Sequence, residues 1–215
     1  MKDEILQTAL KQFLKYGIRE MSIQKLVEPM GISTKTVYKY FKNKEKLLEH
    51  ALQLYYMQQF QMLEQLSDDQ KAVPLLLDIW YVAFEREYKV TNAFFHDLSY
   101  YYPELERKIQ TAIGVKFSKQ FKQIIQNGID DRVFQDNINP EIIMEGIYIL
   151  YDAATKTERF KPLRVSPFDV LLNTIVIYIK GFCTIEGIKE LEEHTQNFLP
   201  FGKGNGFKEK VANPL

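Results

Sequence analysis

The chain has one cysteine, Cys183, among 215 residues, so no disulfide can close within it, and the apolar helical pattern around Cys183 reads as a buried thiol in a reducing compartment. Long apolar runs are missing as well. The longest, Val170 to Ile179, falls far short of the roughly 20 residues that a membrane span needs. The start, MKDEILQ, carries acids and no apolar core, which argues against a signal peptide. A soluble, cytoplasmic protein is expected. Strand-type alternation, H-E-x-x-H, a cysteine pair, G-x-S-x-G and a glycine loop after a strand are also absent. The run GKGNG near the end follows a helix pattern and has none of the context of a phosphate loop. An enzyme, a cofactor and a metal site are therefore not expected.

Net charge is the remaining absence, with 28 basic and 28 acidic residues. The balance hides an asymmetry. Residues 1–50 hold ten basic residues against six acids, leaving 18 basic and 22 acidic residues for the rest. A basic head on an acidic body draws a polyanion to the N-terminal end. With 46% hydrophobic and 13% aromatic residues the chain can fill a substantial core, which excludes disorder of the whole.

Within that head, SIQKLVEPMGISTKTVYKYFKNKEK (Ser22 to Lys46) reads as two short helices around a tight turn. Ile23, Leu26, Val27 and Met30 recur on one helical face, and Gly31 gives the backbone freedom that a sharp turn requires. With Ser33 as N-cap, Ile32 and Val37 form a hydrophobic staple and Phe41 extends the buried stripe. Thr34, Lys35, Tyr38 and Lys39 then face outward. Caps at Ser22, Ser33 and Asn43 place Lys25, Lys35, Lys44 and Lys46 in first turns, where acids are the usual complement to the helix dipole. Lysines beside orphan N–H groups suit phosphate.

The rest of the sequence reads as helix throughout. Ile5, Leu6, Ala9, Leu10, Phe13 and Leu14 make an amphipathic first helix, with Gly17 placed to end it in the left-handed conformation. A linking helix follows Asn43 and reaches about Leu66, before Ser67-Asp68-Asp69 breaks it. Leu105 to Asn127 is expected to be one helix ended by Gly128, Pro140 opens another, and Ser166-Pro167 opens a last one running to about His194. From Pro200 the composition suits a loose tail.

The first 50 residues resemble the TetR family of bacterial transcriptional regulators, through Phe13, Gly17, Leu26, Gly31, Ser33, Thr36, Tyr38, Tyr40, Phe41, Lys44, Glu45 and Leu47. Three departures stand out: Ser22 for the usual threonine, Pro29 and Met30 where small residues are common, and Lys35 for a glycine of the recognition helix. The resemblance implies an all-α homodimer with three parts. These are a DNA-binding head over residues 1–46, a regulatory and dimerisation body over 47–199, and a flexible tail over 200–215. It implies a repressor released from operator DNA by a small apolar or aromatic effector. The DNA-binding set is then Ser22, Lys25, Ser33, Thr34, Lys35, Thr36, Tyr38, Lys39 and Lys44, with Tyr38 and Lys44 on phosphates and Thr34, Lys35 and Lys39 nearest the bases. Trp80, Phe84, Phe95, His96, Tyr100, Phe117 and Tyr148 are the candidates for the effector pocket, against the plainer reading that rings at helical spacing are core. The helices opened by Pro140 and Pro167 are the candidates for the dimer contact, through Ile175 and small residues such as Gly146. A helical adaptor or ligand-binding protein without specific DNA binding is the alternative.

Overall fold

The computed structural model describes residues 1–66 and 70–198, and the expected break at Ser67-Asp68-Asp69 and the tail from Pro200 lie outside them. The described residues are helical, with no strand among them and one isolated bridge between Phe134 and Cys183. Helices α1 (Lys2–Tyr16), α2 (Ile23–Val27) and α3 (Thr34–Tyr38) build the head. Helix α4 (Lys44–Leu66) leads into a body of α5 (Ala72–Glu87), α6 (Asn92–Tyr101), α7 (Pro103–Asp130) and α8 (Pro140–Thr155). The last elements are α9 (Pro167–Leu171), a π-helical stretch (Leu172–Val176), α10 (Ile177–Phe182) and α11 (Ile185–Phe198).

The expected caps form. Ser22 accepts from Lys25 N–H, Ser33 from Thr36 N–H and Asn43 from Lys46 N–H. Asn139 caps α8, and Ser166 with Asp169 makes a reciprocal capping box at α9. Pro29 shortens α2 as its missing N–H requires, and Glu28–Met30 continue as a single 3-10 turn into Gly31, which is left-handed at φ 62°.

Three boundaries differ from the sequence reading. Gly17 ends α1 with φ 85° and ψ 166°, which is a positive but extended conformation rather than the left-handed helical one. Gly128 lies inside α7, not beyond its end; a Cβ there would come within 2.1 Å of the Phe134 ring, so this glycine is a close-approach site. The last helix does not run unbroken to His194. It stops at Phe182, Cys183 turns extended to bridge Phe134, and Thr184 restarts the chain by accepting Gly187 N–H at 3.2 Å.

Two apolar clusters organise these helices. One joins α1, α2, Val37 and Phe41 to Leu47, Leu48, Ala51, Leu52 and Tyr55 of α4, and it takes in Phe94 and Leu98 of α6 and Leu105 and Ile109 of α7. The head cluster therefore does not stop at residue 46. The second gathers α5, the C-terminal half of α7, Phe134, α8 and α9 through α11. Replacing Gly128 by alanine drives a methyl into the buried Phe134 ring, so Gly128→Ala should cost about 1–3 kcal/mol, read as a lower urea midpoint with unchanged slope.

Candidate nucleic-acid interface and effector site

In the head, α3 exposes Lys35, Tyr38 and Lys39 while Val37 is fully buried beneath them. Tyr38 is 53% exposed, a large ring left in solvent on a face of a small helix. Thr34 and Thr36 are half-buried at the same helix start, and the hydroxyls of Ser33 and Thr36 lie 3.0 Å apart. Phe41 is buried as the staple pattern expects, whereas Tyr40, also a candidate for packing, is more than two-fifths exposed.

The lysines at the helix starts divide into two groups. Lys25 Nζ donates to Glu20 C=O at 3.0 Å, Lys44 Nζ to Ile18 C=O at 2.6 Å, and Lys46 pairs with Glu49 at 2.6 Å. The side chains of Lys35 and Lys39 make no hydrogen bond or ion pair with the described residues, and both are exposed. Burial lowers the pKa of Lys44, a shift that the negative charges of Asp97 and Glu20 partly offset. Its ammonium ties α4 to the loop after α1.

That loop also rests on α6. Asp97, buried, accepts Arg19 N–H at 2.7 Å, and Arg19 reaches Tyr101 Oη at 2.9 Å. Leu14 C=O accepts Thr91 N–H at 3.0 Å. Glu49 of α4 takes both Lys46 and Lys108, the latter from α7.

In the body, Trp80, Phe84, Phe117 and Tyr148 come together as one ring cluster, joined by Phe121 and Tyr151, which the sequence reading missed. Trp80 stacks on Phe121 at 5.2 Å and meets Tyr148 and Tyr151 edge-on. Phe60 of α4 continues the column through Phe117 at 5.7 Å. Phe95, His96 and Tyr100 do not belong to it. His96 and Tyr100 are exposed and stack on each other outside the fold, because α6 turns its buried face, Phe94 and Leu98, toward the head cluster. Phe95 packs against that same cluster, with Lys156 Nζ 5.8 Å from its ring centre.

Beside the rings lies an acid that sequence spacing could not single out. Glu87 is buried within hydrogen-bonding reach of the Tyr151 hydroxyl, which donates to Ala83 C=O at 3.1 Å. Burial pushes the Glu87 carboxyl up, against the pull of Lys156 and Tyr151. Among the described residues, the body has a small cavity of about 50 Å³ bounded by Tyr88, Thr155 and Phe160 and another of about 10 Å³ bounded by Leu77, Phe168 and Thr195. None of the seven pocket candidates lines either one. Among the described residues no cluster of three His, Cys, Asp or Glu side chains could hold a metal, and no helix is long and apolar enough to cross a membrane.

Residues 5–51 match the family model described as bacterial regulatory proteins, tetR family. The head belongs to the TetR family. No curated protein sequence matches the chain. Solved structures share the whole TetR-type fold at low identity. A TetR transcription regulator from Haloarcula marismortui has a TM-score of 0.71 at 20% identity, over 85% of this chain and 98% of its own. NemR of E. coli in its reduced form gives 0.71 at 18%, over 85% and 96%. FadR of Bacillus subtilis, solved in complex with stearoyl-CoA, gives 0.62 at 18%, over 80% and 93%. The matched head and the shared fold give the chain a TetR-type helix-turn-helix followed by an all-α body.

The strut from α4 to α7 has a pH signature. Hydrogen bonds from Lys108 and Lys46 hold the Glu49 carboxyl down at about 2, below its ordinary value near 4.5. A depressed folded-state pKa stabilises above the unfolded value and is lost as pH falls toward the folded one. Glu49→Gln should therefore lower Tm at neutral pH, and the gap from wild type should close between about pH 4.5 and 2. A gap that stays constant across that range would exclude the ion pairs as its source.

Proposed function

We propose that the protein is a homodimeric repressor whose head binds operator DNA and whose body releases it on binding a small apolar or aromatic effector. The observation that carries this reading is the Ser33-capped α3, which exposes Lys35, Tyr38 and Lys39 beside a half-buried Thr34, with the side chains of the two lysines uncommitted. Placed in a major groove, α3 brings Thr34, Lys35 and Lys39 to the base edges and Tyr38 to a phosphate. The start of α4 at Lys44 and the start of α2 at Ser22 and Lys25 would lie toward the DNA backbone, with the Lys44 and Lys25 ammonium groups exchanging the Ile18 and Glu20 carbonyls for phosphate. The adaptor alternative drew on Pro29 and Lys35. Pro29 is absorbed in a 3-10 turn that leaves Gly31 left-handed, and Lys35 points to solvent, which favours the DNA-binding reading.

Dimerisation is supported by a strip of apolar side chains on α8 and α10. Ile142, Ile149 and Ile177 are 68%, 62% and 59% exposed, large aliphatic groups that a partner would cover. Ile175, named from sequence for this role, is fully buried in the body cluster, because the π-helical stretch turns it inward. Gly146 serves the packing of α8 within the chain, where a Cβ would meet the Tyr178 hydroxyl at 2.3 Å. Ile177→Glu should convert the dimer to monomer in sedimentation at micromolar concentration while the helical circular dichroism stays unchanged. A wild-type monomer would remove the dimer from this proposal.

Effector control follows from the column Phe60, Phe117, Phe121 and Trp80, which ties α4 to the body rings. An effector that parts those rings shifts α4 and with it the head. Coupling of about 1–3 kcal/mol would change operator affinity about 5- to 150-fold. FadR, a regulator of this fold, was solved in complex with stearoyl-CoA, whose acyl chain is apolar. The DNA-binding claim is tested by salt titration of duplex binding. Lys44→Ala should weaken all sequences alike and lower the log–log salt slope by about one. Lys35→Ala should change which sequences bind; a loss of affinity equal across sequences would sink its assignment to the bases.

A further inference from the structure

Trp80 is the one tryptophan of the chain, 3% exposed, and its indole Nε1–H has no hydrogen-bond partner. A buried donor without an acceptor costs about 1–3 kcal/mol. Phenylalanine would give the same stack on Phe121 without that penalty. The donor sits in the ring column itself, with Phe121 stacked at 5.2 Å and Tyr148 and Tyr151 edge-on at 5.6 and 5.2 Å. Of the groups beside it, the Tyr151 hydroxyl is committed to Ala83 C=O. A buried donor among aromatic faces favours a flat or apolar skeleton that carries an acceptor.

We propose that the effector carries an acceptor oxygen, a ketone, ester or ether oxygen on an apolar skeleton, which takes the hydrogen bond of Trp80 Nε1–H. This rests on the reading of the body as an effector site and adds the chemical class of the effector to it. The oxygen satisfies the indole while the skeleton replaces ring–ring contacts between Trp80, Phe121 and Tyr148. A plain hydrocarbon fills the same space but leaves the donor unpaired. Discrimination between the two is therefore set at Trp80, and about a tenfold preference for the oxygenated member of a matched pair is expected.

Alpha-tetralone and tetralin are such a pair, equal in skeleton and different by one carbonyl. With one tryptophan, the full-length protein gives a single indole N–H signal in a heteronuclear NMR spectrum, and the methyl signals of the body report binding of either compound independently. Alpha-tetralone should move the indole signal downfield as the hydrogen bond forms, while tetralin moves methyl signals without that displacement. Trp80→Phe should bring the two affinities to within about twofold of each other. If both compounds bind and the indole signal does not move downfield with the ketone, the body binds apolar molecules but the inference about Trp80 is wrong; a buried water on the indole would give that result. If neither compound moves any methyl signal up to its solubility, the effector reading of this site falls and the inference with it.

Discussion

Helix α4 is buried twice, in two different clusters, and the rest of the molecule is arranged by that constraint. Its first three turns place Leu47, Leu48, Ala51, Leu52 and Tyr55 at 1% exposure or less among the side chains of the head. One turn and a half further on, Phe60 meets Phe117 of α7 and so enters the aromatic column of the body. At about 1.5–3 kcal/mol for each large side chain removed from water, neither end of α4 can be freed without losing much of the fold's stability. A rigid helix with both ends committed transmits a tilt rather than absorbing it.

The head is fastened a second time, through α6. Gly17 lets the loop after α1 come within contact of Ala93 and Asp97, where a Cβ would stand 3.1 Å from each. Asp97 then takes the Arg19 N–H, and Thr91 N–H reaches Leu14 C=O. Lys44 closes the arrangement from the α4 side by holding Ile18 C=O. The outward faces of His96 and Tyr100 follow from this, because a helix that turns Phe94, Asp97 and Leu98 to the head presents its opposite side, where these two residues stand four apart, to solvent. Of the basic side chains of α3 and the helix starts, those left uncommitted are the ones on the exposed face of α3.

In the body the aromatic residues do two kinds of work at once. They fill the space between α5, α7 and α8, and they surround polar atoms that a purely structural core would leave out: the Glu87 carboxylate, the Tyr151 hydroxyl and the unpaired indole N–H of Trp80. Cavities of about 50 and 10 Å³ are too small for a ligand of drug size, which needs roughly 300–1,000 Å³.

The head was legible in the residues because its determinants are local. Serine and asparagine caps, the Ile32–Val37 staple, Pro29 before Gly31 and the lysines in first turns each act within four residues, and the structure keeps the caps where the sequence puts them. The helical class, the opening of α8 at Pro140 and of α9 at Pro167, and the reach of α4 to Leu66 are local in the same sense. What only the tertiary structure decided depends on distant partners. Gly128 reads as a helix end until Phe134 is seen against it; Cys183 breaks the last helix because Phe134 offers a bridge; and Ile175 of the π-helical stretch is buried while Ile177, two residues on, is exposed. The division of the aromatic candidates, with Trp80, Phe84, Phe117 and Tyr148 in one column and Phe95, His96 and Tyr100 elsewhere, is of that kind too. Periodicity states that a side chain has a buried face available, but which cluster receives it is set by packing between helices far apart in the chain.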